Sequence, residues 1–262
     1  MPEITKFRRK VMSYWRRHGR HNLPWRKTQD PYKILVSEMM LQQTQVSRVI
    51  PKYEEFLKKF PTVQALAKAP LIEVLRVWSG LGYNRRAKFL HDAAKQVAER
   101  HDGHFPREYA ELRALPGVGD YTAKAIQVFS LNESELLLET NIRTVYLHTF
   151  FSNTSKVSDR KLHPYVERAA RGQNPRTWHW ALMDYGAHLK KSGVKLNSKS
   201  AHYTKQSKFE GSLRQMRGAI LRAHAKGDSL SSIKATNKQN FEKAFTSLVR
   251  DGLVPMSKGG AS

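Results

Sequence analysis

Apolar side chains recur every three or four positions along most of this chain, the spacing that gathers them on one face of a helix. Phe7, Val11, Met12 and Trp15 predict a first helix. Asp30-Pro31 opens a second through YKILVSEMMLQQ, with Asp at the cap and Pro in the first turn, where a missing N–H costs nothing. SRVIPKYEEFLKKF continues the pattern, and Pro70 divides TVQALAKAPLIEVLRVWSGLG into two helices. YNRRAKFLHDAAKQVAERHDG is amphipathic and stops at Gly103. REYAELRALPGVGDYTAKAIQVFSL reads as a helix, a tight turn and a helix. No strand-rich block precedes residue 210, and there is no internal repeat. Beyond it, SLRQMRGAILRAHAKG, SLSSIKAT and KQNFEKAFTSLVRDG predict three short helices, and LVRDGLV with the later KGG predicts a small β-wing. The expected class is mostly α, closing on a small winged-helix-like unit. One stretch stands out within it: in ELLLETNIRTV an apolar run ends directly on Glu139, which by itself reads as a surface turn or a helix start.

Charge sharpens the picture. The 262 residues carry 46 Lys+Arg against 22 Asp+Glu, a formal net charge of +24. So large an excess repels itself and calls for a polyanionic partner. An anionic membrane surface is the alternative, but the cations are spread along the chain, and no stretch approaches the ~20 apolar residues of a membrane span. Nucleic acid is the better partner. There is no cysteine, which excludes disulfides, thiol nucleophiles, zinc fingers and cysteine-ligated clusters, and is consistent with a cytoplasmic setting. The Arg-rich N-terminus could pass for a presequence, yet Glu3 and its helical spacing favour a structural helix. Residues 188–208 hold six lysines, two histidines and no acidic residue, either a solvated linker or a DNA-facing segment.

Three motifs carry chemistry. LPGVGDYTAKAI (Leu115–Ile126) joins two helices through Gly117, Val118 and Gly119; the glycines allow a sharp turn whose amides can meet one phosphate. It resembles the helix-hairpin-helix of the DNA glycosylase superfamily that includes endonuclease III and the adenine glycosylases. LPWRKTQDPYKILVSEMMLQQTQV (Leu23–Val46) and VWSGLGYNRRAKFL (Val77–Leu90) are similar to two further stretches of the adenine DNA glycosylase family, in the family's order. The resemblance runs from about Leu23 to Ala187 and implies a two-lobed helical fold, with residues 1–28 plus 134–209 in one lobe, 29–133 in the other, and 210–262 apart. It implies that Glu38 protonates the departing base and that Glu139, in the string Leu138-Glu139-Thr140-Asn141-Ile142, is the second catalytic carboxylate, with Asn141 beside it. Two carboxyl groups meet the needs of the reaction, a proton for the leaving group and a counter-charge for an oxocarbenium-like sugar. Tyr121 stands where bifunctional relatives carry a nucleophilic lysine, so no lyase activity is expected. By the same resemblance Gln43 and Tyr83 wedge into the duplex, Thr44 and Leu81 touch the opposing base, and Trp25, Arg26, Val46 and Asp184 line the base pocket. Gln42, Arg85, Arg86, Lys124, Lys190 and Lys191 are expected at the DNA, chiefly on phosphates.

The chain departs from that family in three ways. Where relatives place four cluster-binding cysteines after a D-x-G-A segment, this chain follows MDYGAHL with lysines, so neither an iron–sulfur cluster nor any other metal is expected, a monovalent cation at the hairpin apart. Residues 210–262 are too few for the family's large domain that inspects oxidised guanine. Glu139 replaces an aspartate and reaches about 1.5 Å further. The expected activity is hydrolysis of the N-glycosidic bond of a flipped, mispaired adenine in double-stranded DNA, by a monomer. Hypoxanthine, mismatched uracil or thymine, and a catalytically weak lesion-binding protein remain the alternatives.

Overall fold

The computed structural model describes residues 2–154, 156–194, 196, 200 and 208–255. Along the chain lie α1 (Pro2–His18), a 3₁₀ turn (Pro24–Arg26), α2 (Pro31–Leu41), α3 (Val46–Lys59), α4 (Val63–Lys68), α5 (Leu71–Trp78), α6 (Arg85–Arg100) and α7 (Tyr109–Ala114). There follow α8 (Asp120–Ile126) with a π turn (Gln127–Leu131), α9 (Thr140–Phe150), α10 (Asp159–Ala170), α11 (Pro175–Lys191), α12 (Leu213–Lys226), α13 (Ser231–Thr236) and α14 (Lys238–Arg250). The local signals act as expected. The Asp30 carboxylate accepts from the Tyr32 N–H at 2.9 Å, and Pro70 separates α4 from α5; the Thr62 side chain, not singled out in the sequence, also caps α4 through the Ala65 N–H. Among the described residues the β structure is an isolated bridge between Val157 and Ser200. None of the described helices is long and apolar enough to cross a membrane.

The chain divides into two compact units. The first comprises Met1–Ile34, Arg107–Arg113 and Val118–Lys205. Its core is α9 packed on α11, with α1 and α10 alongside and an aromatic cluster of Phe7, Tyr146, Phe150 and Trp178. Gly186 permits that packing: a Cβ there would lie 2.2 Å from the Asn141 carbonyl oxygen, so the two helices approach at a position open only to glycine.

The second unit comprises Leu35–Pro106, Ala114–Gly117 and Gln206–Ser262. Here α4 and α5 pack on α6, around Phe56, Leu66, Trp78 and Leu90. Helices α12–α14 belong to the same body: α12 packs on α5, and Arg76 Nε donates to the Ala225 carbonyl at 2.5 Å. The first half of the expected β-wing is not a strand. Phe241, Ala244 and Leu248 continue the helical period through the buried face of α14, Gly252 turns the chain at φ +66°, and Leu253 and Val254 are buried as bends. The KGG half lies outside the described residues, as does much of the lysine-rich segment.

Candidate active site

In the second unit, Glu38 lies near the C-terminal end of α2, buried among Ser37, Met39 and Met40. The helix ends at Leu41, and the carbonyls its end leaves free are satisfied from outside. Arg86, itself buried, donates to the carbonyls of Met39 (2.6 Å), Met40 (3.0 Å) and Gln42 (2.5 Å), and to those of Leu81 and Gly82 across the 79–84 turn. Desolvation lowers this guanidinium to about 10, partly countered by Tyr83. Arg86 is therefore turned inward as a clamp, and its donors are committed to protein acceptors instead of a phosphate. Arg85, next to it, lies over the Phe89 ring.

The clamp shapes two strained turns. Gln43 (φ +55°) and Tyr83 (φ +46°) both sit in the left-handed region, which disfavours a side chain and most of all a bulky one. Such strain, about 1–3 kcal/mol each, persists only where the surroundings over-determine it, and it gathers at functional turns. Gln42 and Gln43 are exposed, and Tyr83 is 38 % exposed. Thr44 Oγ1 contacts the Leu81 carbonyl at 3.4 Å, whereas the Leu81 side chain is buried. In the hairpin, Gly117 has φ +74°, and a Cβ there would meet Phe89 Cβ at 2.5 Å and Met39 Cε at 2.8 Å, so glycine is required twice over. Gly119 differs: its backbone is extended (φ −84°, ψ 177°), a Cβ there would meet only Arg113 Nη1 at an ordinary 4.0 Å, and it serves as a cap without a side chain at the start of α8. Val118 is buried beside it.

In the first unit, Glu139 takes the helix-start reading of ELLLETNIRTV. It is the N-cap of α9: its Oε1 accepts from the N–H groups of Asn141 (2.8 Å) and Ile142 (2.9 Å). Oε2 accepts from Asn141 Nδ2 at 3.2 Å. The extra methylene is thus spent folding the carboxylate back over the helix end, where backbone donors and the helix dipole favour its negative charge. Asn141 Oδ1 in turn accepts from Lys190 Nζ at 2.8 Å. An ammonium only donates, so the amide orientation of Asn141 is determined: oxygen toward Lys190, NH₂ toward Glu139. Burial holds Lys190 below the ordinary lysine value, and the Glu139 charge offsets part of that. The approach to the cap is strapped on both sides. The Leu137 N–H donates to His179 Nε2 at 3.1 Å, and Arg143 donates to the Leu138 carbonyl while forming a paired contact with Asp159 at 2.8 Å.

Other expected residues take defined places. Tyr121 is half-buried on the first turn of α8; Lys124, one turn on, lies 3.2 Å from Asp120 and over the Tyr109 ring. Asp184 is buried and engaged by two arginines, Arg26 through both terminal nitrogens (2.7 and 2.9 Å) and Arg20 at 2.6 Å. Burial alone would raise this carboxyl, but Arg26 and Arg20 hold it below its usual range. Arg26 thus commits both terminal nitrogens to Asp184 while its Nε is buried without a hydrogen-bond partner among the described residues, and Trp25 is buried next to Arg26. Val46, in the other unit, starts α3 and is half-buried. Lys191 ends α11, exposed. Sequence reasoning missed the roles of Gly186, His179 and Lys190. A small residue in the middle of an amphipathic helix was the available signal for the first; nothing local marks the other two. No cluster of three or more His, Asp or Glu among the described residues could hold a metal ion.

Comparison with known proteins agrees with this geometry. Residues 36–171 match the HhH-GPD superfamily of base excision DNA repair proteins. The chain is 38 % identical over 182 residues to the adenine DNA glycosylase of Buchnera aphidicola (Baizongia pistaciae), covering 69 % of this chain but only 52 % of that one, so it spans about half the length of that relative. It is 33 % identical over 269 residues to the adenine DNA glycosylase of Mycolicibacterium smegmatis, covering 94 % of this chain and 92 % of that one. Among solved structures, a thermostable thymine-DNA glycosylase superposes with a TM-score of 0.62 at 25 % identity, over 76 % of this chain and 95 % of the other. The turn built on Gly117, the buried Glu38 and the capped carboxylate of Glu139 thus stand in a chain that belongs to the HhH-GPD superfamily of base excision DNA repair proteins.

Proposed function

We propose that this protein is a monofunctional DNA glycosylase that removes adenine mispaired with guanine or oxidised guanine. The observation that carries the reading is the carboxylate of Glu139, held by two backbone N–H groups and by an asparagine whose own orientation is set by Lys190. A cap alone needs no such second layer of support, whereas an electrostatic stabiliser must be pre-organised before charge develops. Glu38 is assigned the general acid. It delivers a proton to the adenine ring as the C1′–N9 bond breaks and the bonding electrons leave with the base. Glu139 stabilises the positive charge on the sugar, and water then adds to C1′, its spare proton returning to a carboxylate. Tyr121 offers no amine at the hairpin, so no Schiff base forms there and the product is an intact abasic site.

The iron–sulfur cluster found in relatives does not fit this chain. The sequence has no thiolate to bind it, and Lys190, at the end of the helix carrying the D-x-G-A segment, spends its ammonium on Asn141. No step is routed through a cluster. The adenine reading is supported by the names of two relatives, and a thymine reading by the thymine-DNA glycosylase structure. One experiment separates them. Duplexes carrying a single A, hypoxanthine, U or T opposite G or oxidised G are incubated with the protein, and abasic sites are cleaved with hot alkali. Cutting at A is expected; cutting confined to U and T would overturn the adenine assignment, and binding without cutting would overturn catalysis.

A further inference from the structure

Helices α12–α14 lie beyond residues 36–171, the part matched by the superfamily, and the proposed chemistry gives them no task. α12 carries Arg214, Arg217, Arg222 and Lys226 and no acidic residue. Arg217 is spent within the unit, bonded to Asp251 at 2.7 Å and to Ser247. The other three fall at positions 214, 222 and 226, which with Gly218 mark every fourth residue and so share one face. This face forms one wall of a groove of about 1360 Å³ within the second unit, whose other wall includes Gln42, Gln43 and the turn from Ser79 to Arg86. Among the described residues, the only acidic one lining the groove is Asp251, which Arg217 already pairs. Arg222 and Lys226 are exposed, and among the described residues neither has an ion-pair partner. Gly218 keeps the stripe low between Arg214 and Arg222.

At one end of the groove the cations give way to aromatic surface. Arg214 Nη1 donates to the Tyr83 hydroxyl at 2.6 Å, and its guanidinium lies 5.7 Å from the Tyr83 ring centroid and 6.0 Å from that of Phe209. Phe209 is 60 % exposed. A phosphate-sized cationic rail leading to an exposed aromatic and guanidinium ledge is the chemistry that holds a nucleic-acid strand with an unstacked base: charge for the backbone, π-faces for the base. An acidic peptide would use the rail and leave the ledge bare.

We propose that α12 is a DNA-backbone-binding helix, with Arg222 and Lys226 on the phosphates of a strand lying in this groove and the Tyr83–Arg214–Phe209 ledge under the unpaired base of that strand. The inference takes only the identity of the polymer from the glycosylase reading. It is tested by binding alone, with the full chain and a duplex in which a non-cleavable abasic analogue faces 2-aminopurine. The double variant R222A/K226A should lower the slope of log affinity against log salt by about 1.8, two phosphates at about 0.9 each. A charge-matched control on the exposed side of α14, K238A/K243A, should change it by much less. F209A should restore 2-aminopurine fluorescence that the wild type quenches. Equal slopes for the two double variants, or quenching unaltered by F209A, would overturn the proposal, as would equally tight binding of an RNA duplex of the same sequence. Because the probe cannot be cleaved, a protein that excises nothing still decides the question. Conversely, excision accompanied by unchanged slopes removes this inference and leaves the glycosylase reading in place.

Discussion

Glu139 is both a helix cap and a proposed catalytic carboxylate, and Glu139→Gln separates the two. Glutamine keeps an oxygen for the N–H groups of Asn141 and Ile142, so most of the cap survives. Its NH₂ must then face Asn141 Nδ2, which now faces the Glu139 Oε2 at 3.2 Å. Asn141 cannot relieve this by turning over, because its oxygen is held by the donor-only ammonium of Lys190 at 2.8 Å. One frustrated donor pair and one lost charge should cost about 1–3 kcal/mol of stability. Loss of a pre-organised charge at the sugar should cost more, about 10²–10³ in rate, or ~3–4 kcal/mol of barrier. Thermal unfolding measures the first and single-turnover excision at saturating enzyme the second. Glu139→Asp keeps charge and is a favoured cap, so its stability should lie within about 1 kcal/mol of wild type and its rate well above that of the glutamine variant. Excision by Glu139→Gln within threefold of wild type would refute the catalytic role and leave only the cap.

Glu38→Gln should reduce excision at least 10³-fold while leaving affinity for a non-cleavable duplex intact; an active variant would remove Glu38 as the acid. Borohydride should trap no protein–DNA adduct, because Tyr121 replaces an amine, and a trapped adduct would contradict that argument. Lys190→Met should slow single-turnover excision by about 10- to 10²-fold through Asn141, since a lost hydrogen bond to a charged group is worth about 1.5–3 kcal/mol. Affinity should hold, Lys190→Arg should recover part of the rate, and the alkaline limb that follows Lys190 deprotonation in the wild type should disappear; weaker binding at an unchanged rate would make Lys190 a phosphate contact instead. His179 is buried neutral, accepting from the Leu137 N–H and contacting the Pro175 carbonyl at 2.7 Å, and burial lowers it to about 4. A depressed folded value means that the unfolded chain binds the proton first, so stability is full above about pH 6.5 and declines toward pH 4, by about 3 kcal/mol at most. Urea titrations of wild type and His179→Gln across that window check it; identical pH slopes would refute it.

Much of the architecture was legible because helices advertise themselves locally. Asp30-Pro31, Pro70 and Gly103 act on their own backbone, so their meaning does not depend on what packs against them. Sequence was weaker where a side chain's task lies elsewhere in the chain. Arg86 sits among helix-surface cations in the pattern and looks solvated or phosphate-bound, yet the fold buries it on carbonyls more than forty positions away. The first half of the expected β-wing is helical for a related reason: a short apolar run such as Leu248-Val249 suits a strand or a buried helix end, and packing of α14 chose the helix.

The same division runs through the candidate site. From residue type and spacing come the mostly helical class, the cationic excess and the glycine turn; Glu38 and Glu139 are singled out only by the resemblance of the motifs around them. Tertiary structure decided how the Glu139 carboxylate is held. It took Gly186 to bring α11 within reach of α9, and only then could Lys190, forty-nine positions along from Asn141, set the amide that holds the carboxylate. Hydrogen bonds between residues so far apart leave no periodic trace in a sequence; they exist only once the packing of helices has made the chain ends of two elements neighbours.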